Sequence, residues 1–462
     1  MTRGPVGKEL LLFCIPVALT SMLQLLFNAA DIIVVGQFVG AEAVAAIGAT
    51  TFLINLLVTF FIGMSIGVTV VISTDLGAGR LEDVKTEAHT AVAVSVLFGI
   101  AIACFGAVFC RTFLTWMATP ADIIDMSASY LRIYFIGVLG LVIYSFGRAV
   151  LITTGDTKRP MYYLIASGCI NVALNLVLVI RFDMGVTGVG IATAVSQFVS
   201  AYLVINRLRH IKGPCGISIR NLHINKGKLR KIIRLGLPTG LQGMVFSISN
   251  VMIQSSVNSL GTLYVAGNAA ASNLEGFVFM TMDAFNQGVT TFMGQNYGAG
   301  RDDRFVKIWK TGTLQVACAG LGFGLILLAA GRFLLGIYLP TSATAVSYGY
   351  VRMKIFMTTY FICGMMNVAT GCIRGLNRPL VPMIATTIGV CLVRIVYIIF
   401  GFGPVKAAYG PMAAYISLVA SYPVTWVLTG LFLVWYFFRL KNRISERFAA
   451  NRSAEAAAVS EE

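Results

Sequence analysis

Along most of this chain apolar residues neither alternate nor recur at helical gaps. They run on for some twenty residues or more and then give way to short polar turns. A run of about 20 apolar residues is what a helix needs to cross the hydrocarbon core of a bilayer. Twelve such segments can be marked, at roughly 10–36, 43–75, 89–111, 123–152, 160–181, 185–206, 235–260, 264–297, 307–338, 345–373, 379–402 and 408–438. The pattern predicts an all-α integral membrane protein with twelve transmembrane helices. Several segments exceed the minimum length and are expected to tilt or to project beyond the bilayer.

Composition agrees, with 57% hydrophobic and 12% charged residues in 462. The net charge of +16 would suit nucleic acid only if the cations clustered on a folded polar surface. Here they lie between apolar runs, so no nucleic-acid partner is expected. Lys and Arg in short loops tend to remain cytoplasmic. With the N-terminus inside, 26 of them fall on cytoplasmic segments and four outside (Arg111, Arg181, Arg332, Lys406), while Arg132, Arg148, Arg352, Lys354 and Arg394 lie within spans. The expectation is a multi-pass protein of the cell inner membrane with both termini cytoplasmic. The start, Arg3 and Lys8 before LLLFCIPVALTSML, has the form of a cleaved signal peptide, but this segment has an internal counterpart and is read as a span.

That counterpart belongs to a repeat. GAGR stands at 77–80 and again at 298–301, and each copy closes a stretch of matching layout: a proline (Pro16, Pro238), an asparagine in mid-span (Asn28, Asn250), a glycine at the outer turn (Gly40, Gly261), then the tetrad. Tyr130 and Arg132 match Tyr350 and Arg352, and GDTKRP at 155–160 matches GLNRP at 375–379. The chain therefore divides into an N-lobe, 1–206, a basic cytoplasmic linker, 207–234, with nine Lys and Arg suited to anionic headgroups, a C-lobe, 235–440, and a cytoplasmic tail, 441–462. Six crossings per lobe give both copies the same orientation, related by a pseudo-twofold axis along the membrane normal. Parallel repeats of this kind are a transporter architecture, with the substrate site expected between the halves.

Polar residues inside spans then become the candidates. An ionised Asp at the bilayer centre costs roughly 2.5–3.5 kcal/mol on insertion scales, so such groups mark interiors and pathways. Ser21, Gln24, Asn28 and Asp31 follow spacings of three, four and three, which puts them on one face of the first helix. The seventh segment repeats the stripe with Ser247, Asn250 and Gln254 but has Ile253 where Asp31 stands. The acid thus marks one lobe, and since burial disfavours a charged carboxylate, Asp31 is expected to exchange a proton. The alternative is an Asp bonded for helix packing. Arg148 is placed either to snorkel to the cytoplasmic surface or to pair with Asp31. Glu275 and Asp283, eight residues apart on the eighth segment, either line a cavity and bind a cationic substrate or serve packing. Arg394 has no obvious partner, and its counterpart in the first half is Asn175. Pro16, four helical turns before Asp31, is a candidate hinge. Nine cysteines without ligand spacing read as reduced packing residues. His89, His210 and His223 form no metal pattern, and there is no Walker loop. Neither an enzyme nor a resident metal or cofactor is expected.

The chain resembles the multidrug and toxic compound extrusion (MATE) transporters, and more closely their DinF-like branch. The resemblance rests on Pro16 with NAAD at 28–31, both GAGR tetrads, GDTKRP, INVALN at 170–175, GVTGVGIATAVSQ at 185–197 and GNAAASNLEGF at 267–277. It implies two six-helix lobes, alternating access and export of amphipathic organic cations against protons or sodium, with no cofactor beyond that coupling ion. It also implies coupling through polar N-lobe residues, here Gln24, Asp31, Tyr130, Arg148, Asn171, Asn175 and Thr193, and bending at Pro16. This chain has Asn175 where the family often has an aspartate and Arg148 where it has a neutral residue. The NorM-like branch places acids on the seventh and tenth helices, which have none here. The assignment is a monomeric antiporter contacting its small-molecule substrate and membrane lipids. Asp31, Gln24, Asn28, Asn171, Asn175 and Thr193 are assigned to ion coupling, and Tyr130, Arg148, Asn250, Gln254, Glu275, Asp283 and Arg394 to the substrate cavity. The second reading is a lipid-linked or glycolipid flippase, whose anionic headgroup would suit Arg148 and Arg394.

Overall fold

The computed structural model describes residues 1–461 apart from Ala118 and Thr341. Its helices are α1 (Val6–Phe38), α2 (Ala41–Gly77), α3 (Leu81–Trp116), α4 (Ile124–Thr153), α5 (Lys158–Leu176), α6 (Gly185–Arg209), α7 (Lys226–Asn258), α8 (Thr262–Gly298), α9 (Phe305–Ala329), α10 (Ala343–Gly375), α11 (380–409) and α12 (411–461). Among the described residues, length and hydropathy suffice to cross a membrane in nine helical runs, of which the last, Leu380–Ala454, takes in α11 and most of α12. These two are separated where Gly410 takes φ 83° inside an otherwise continuous helix. The polar stripe and basic start of α7 and the Asn, Glu and Asp of α8 dilute their hydropathy, and these two complete the twelve.

Several helices outrun the apolar segments that announce them. α7 begins at Lys226, nine residues before the apolar run, and α12 continues beyond 438 into the basic tail. A helix needs no apolar residue to continue once its first turns are formed, so hydropathy marks the bilayer and not the helix. The run expected at 307–338 is instead α9 followed by a short helix, Gly331–Tyr338.

The repeat is visible in the backbone. Both GAGR tetrads end a helix, and in each the second glycine is left-handed, Gly79 at φ 72° and Gly300 at φ 66°. Side chains rarely adopt that conformation, which accounts for glycine at both positions.

By packing, the chain forms two compact units, one of residues 1–18, 73–79 and 245–462, the other of 19–72 and 80–244. The division departs from the sequence halves at the start of each repeat: α1 changes unit after Ala18, two residues past Pro16, and α7 after Met244, six past Pro238. Within the second unit α4 packs on α3 and α6, and α5 on α6. There α2 and α7 meet backbone to backbone: a Cβ on Gly63 would lie 2.5 Å from the Gly240 Cα, and one on Gly67 2.5 Å from the Gly236 N. In the same unit the linker is held to α3. Ser218 N–H donates to His89 Nε2 at 3.0 Å, Asn225 N–H to Thr90 Oγ1 at 3.2 Å, and Lys228 Nζ to Glu87 at 2.8 Å and Asp83 at 2.9 Å. Within the first unit α10 packs on α8, α9 and α12.

Candidate ion and substrate sites

Asp31 sits on α1 seven residues from its end, and the residues that receive it come from α5 and α6. Asn175 Nδ2 donates to Asp31 Oδ1 at 2.5 Å, and Thr193 Oγ1 lies 3.4 Å from Oδ2. Asn175 Nδ2 also reaches Asn171 Oδ1 at 3.3 Å, and Asn171 Nδ2 reaches Thr193 Oγ1 at 3.5 Å. Asn171 and Asn175 are one helical turn apart on α5, which is why both face the same carboxylate. Both are buried, while Asp31 is half-buried. The Tyr130 and Tyr134 hydroxyls of α4 lie within electrostatic range of the carboxylate.

The partners bonded to Asp31 are an amide and a hydroxyl, with no cation among them. The Asn175 Oδ1 is buried and accepts no hydrogen bond. Two carboxylate oxygens beside an unused amide oxygen are hard donors, the chemistry that takes a proton or a small hard cation. Among the described residues no cluster of three His, Cys, Asp or Glu could hold a metal ion.

Five of the sequence candidates, Asp31, Asn171, Asn175, Thr193 and Tyr130, are thus brought together. Gln24 is half-buried and Asn28 exposed, and neither joins the Asp31 bonds. Arg148 does not meet Asp31. It lies 18 residues beyond Tyr130 on the same helix, about 27 Å at the helical rise, and Tyr144 is among its electrostatic neighbours. The possibility that an Arg148 pair holds Asp31 ionised is thereby set aside.

In the first unit the candidates form a second cluster. Glu275, on α8, is bound through both oxygens by Arg352 of α10, with Nε and Nη2 each at 2.7 Å, and Arg352 Nη1 donates to Asn268 at 2.7 Å. Asn268 Nδ2 donates to Gln254 at 3.1 Å, and Gln254 to Asn258 at 2.9 Å. Glu275 therefore faces a fixed guanidinium, a bidentate pair that already balances its charge. Arg352 was absent from the candidates, although the Tyr-x-Arg repeated at 130–132 and 350–352 pointed to it. Asp283 accepts from Gln287 at 2.7 Å, and Asn250 is exposed. Arg394 is buried on α11 and donates through Nε and Nη2 to Thr425 Oγ1 of α12 at 3.0 and 2.8 Å.

Twelve membrane-length helices built from two copies of one unit, with charged groups held inside them, define a multi-pass membrane transporter. The family model named MatE matches the chain twice, at residues 16–177 and 238–400, so each copy of the repeat is one match, the first beginning at the hinge candidate Pro16 and the second at its counterpart Pro238. The chain belongs to the MATE family of transporters. Over 393 residues it is 27% identical to the probable multidrug resistance protein YoeA of Bacillus subtilis, covering 83% of this chain and 84% of that one. It is 26% identical over 314 residues to the FAD transporter of Shewanella oneidensis, covering 66% of this chain and 68% of the other. Its fold is shared with a MOP superfamily transporter from Pyrococcus furiosus Vc1, at a TM-score of 0.86 and 19% identity, over 95% of this chain and 98% of that one.

Proposed function

We propose that the protein is a secondary antiporter of the cell inner membrane, with cytoplasmic termini, that exports small amphipathic organic compounds. Export is driven by entry of protons or sodium ions through alternating access, and Asp31 exchanges the coupling ion. The observation that carries this reading is an acid inside a membrane-length helix whose bonded partners are neutral, Asn175 and Thr193. A carboxylate so placed lacks a counter-charge, and a proton or a sodium ion supplies one. Pro16, two residues before α1 changes unit, offers a bend through which loading of Asp31 can alter the helix that carries it. The names of two relatives, a probable multidrug resistance protein and an FAD transporter, support an organic cargo and leave its charge open.

Proteoliposomes with an imposed proton or sodium gradient test the proposal. The wild type should expel a fluorescent drug-like probe under one of the two gradients and Asp31→Asn under neither. Efflux indifferent to both gradients would sink the coupling claim.

A further inference from the structure

The pseudo-twofold repeat allows the two halves to be compared position by position, and at one place they carry opposite charge. In the first half Asp31 of α1 faces Asn175 of α5. The matching residues of the second half are Ile253 on α7 and Arg394 on α11, so the acid has become an isoleucine and the amide a guanidinium. The two helices are adjacent here too: the Cys391 thiol, one turn before Arg394, lies beside the Ser249 hydroxyl, one turn before Ile253. The base thus stands where its symmetric acid has been replaced by a buried apolar side chain.

Arg394 is 3% exposed. A desolvated guanidinium ordinarily requires a paired carboxylate. Its electrostatic neighbours are Tyr422, Cys363, Cys391 and Tyr360, with no carboxylate among them. Glu275, the acid of this cluster, has both oxygens engaged with Arg352. The two hydrogen bonds of Arg394 end on one neutral hydroxyl, Thr425 Oγ1, and neither uses Nη1. Aromatic faces supply the rest of its surroundings. The guanidinium carbon lies 3.8 Å from the Tyr422 ring centroid and 6.0 Å from that of Trp426. Tyr422 is part-exposed while Trp426 is buried, so the tyrosine is the open side of the cluster. Arg394 also occupies a five-residue α-helical piece, Val393–Tyr397, between two π-helical stretches, Thr387–Leu392 and Ile398–Phe402. The π-helical stretch Val177–Arg181 follows Asn175 in the first half. Such interruptions concentrate at functional sites.

We propose that Arg394, with Tyr422 and Trp426, recognises the anionic group of an amphipathic aromatic cargo: a carboxylate, sulfonate or phosphate attached to a planar ring. The guanidinium supplies the charge and the donor, and the part-exposed Tyr422, backed by the buried Trp426, supplies the stacking surface. This deepens the reading of the protein as an exporter and rests on it for calling the ligand cargo. An anionic lipid headgroup carries the same chemistry, and the test separates the two sources.

The experiment is equilibrium binding of 1-naphthoate to the purified full-length protein, with 1-naphthylmethylamine as the cation of like shape. The wild type should bind naphthoate in preference to the amine. Arg394→Gln should weaken naphthoate by about tenfold or more, the scale of one charge-assisted hydrogen bond, and Arg394→Lys by less. Trp426→Leu keeps the charge and removes the ring. It should weaken naphthoate severalfold, and it keeps the proposal testable should Arg394→Gln not fold. Naphthoate binding unchanged in both Arg394→Gln and Trp426→Leu, or tighter binding of the amine, overturns the proposal. So does displacement of naphthoate by phosphatidylglycerol in nanodiscs that phosphatidylcholine does not reproduce, because the occupant is then a lipid. Binding at equilibrium needs no gradient, so a failure here leaves the antiport reading standing, and a failure of gradient-driven efflux leaves this site standing.

Discussion

Replacing Asp31 by Asn tests how many ions the site couples as well as whether it couples any. The groups bonded to or around Asp31 in its network, Asn171, Asn175 and Thr193, do not ionise near neutral pH, so the proposed mechanism exchanges one charge per cycle. With the membrane potential clamped to zero, one proton moved down one pH unit supplies about 1.36 kcal/mol. One-for-one exchange of a neutral cargo should therefore settle at about a tenfold cargo gradient per pH unit, and at about a hundredfold for two units, by the same constant. If sodium is the ion, a tenfold sodium gradient should give the same tenfold result with no pH gradient. Asparagine keeps a side-chain oxygen for Asn175 but cannot exchange a proton, so the variant should bind cargo yet equilibrate it to a ratio of one. The assay is the steady-state distribution of a neutral fluorescent cargo in proteoliposomes over a series of imposed gradients. A slope of two on logarithmic axes would mean a second titrating group, and an unchanged slope in Asp31→Asn would remove Asp31 from the mechanism.

Three further outcomes follow from other parts of the molecule. Glu275→Gln leaves Arg352 buried without the carboxylate that balances it and should destabilise the protein by about 3–5 kcal/mol, the usual cost of breaking a buried pair, read as a fall in the thermal midpoint in detergent; a midpoint equal to the wild type would show the pair to be open to water. Gly79→Ala adds a Cβ that meets nothing within 4 Å at φ +72°, so its cost should be that of the left-handed backbone alone, about 1–2 kcal/mol, whereas Gly67→Ala, whose Cβ would strike the Gly236 backbone, should reduce folded yield more sharply. In the loop after α8, the Arg301 guanidinium bonded to Asp303 holds that carboxyl below its ordinary 3.8. A lowered carboxyl stabilises the folded state above its unfolded value and loses that contribution as pH falls through the folded one, so any stability advantage of the wild type over Arg301→Ala should be present at neutral pH and fade as the carboxyl is protonated in acid; an advantage that persists once it is fully protonated would assign it to packing.

The twelve helices were legible because the bilayer requires long apolar runs, and the duplication because turns such as GAGR demand left-handed glycine at fixed places. Helix ends were not legible: nothing in hydropathy tells where a helix leaving the membrane stops, and α7 and α12 both continue into basic sequence. The Asp31 site was legible in part. Spacing placed Asp31 on a polar stripe, but the stripe's other members, Gln24 and Asn28, do not bond to it. Its partners lie 144 and 162 residues away, a distance at which helical periodicity says nothing, and they were reached only through likeness to a family. Arg148 shows the converse failure, since opposite charges in spans suggest pairing until the rise along α4 separates them. Glu275 and Arg352, 77 residues apart, were each visible as in-span charges without any sign that they satisfied one another.

The assignment of residues 1–18 to the unit that contains 245–462 has a consequence for biogenesis. Most of the unit that the opening turns of α1 join is made only once residues beyond 244 have been synthesised, whereas the Asp31 end of that helix can meet Asn175 and Thr193 before that. The opening turns of α1 therefore complete their packing only when the second copy of the repeat arrives. Two fragments cut in the linker and expressed together should each be incomplete at one end, and each should supply what the other lacks.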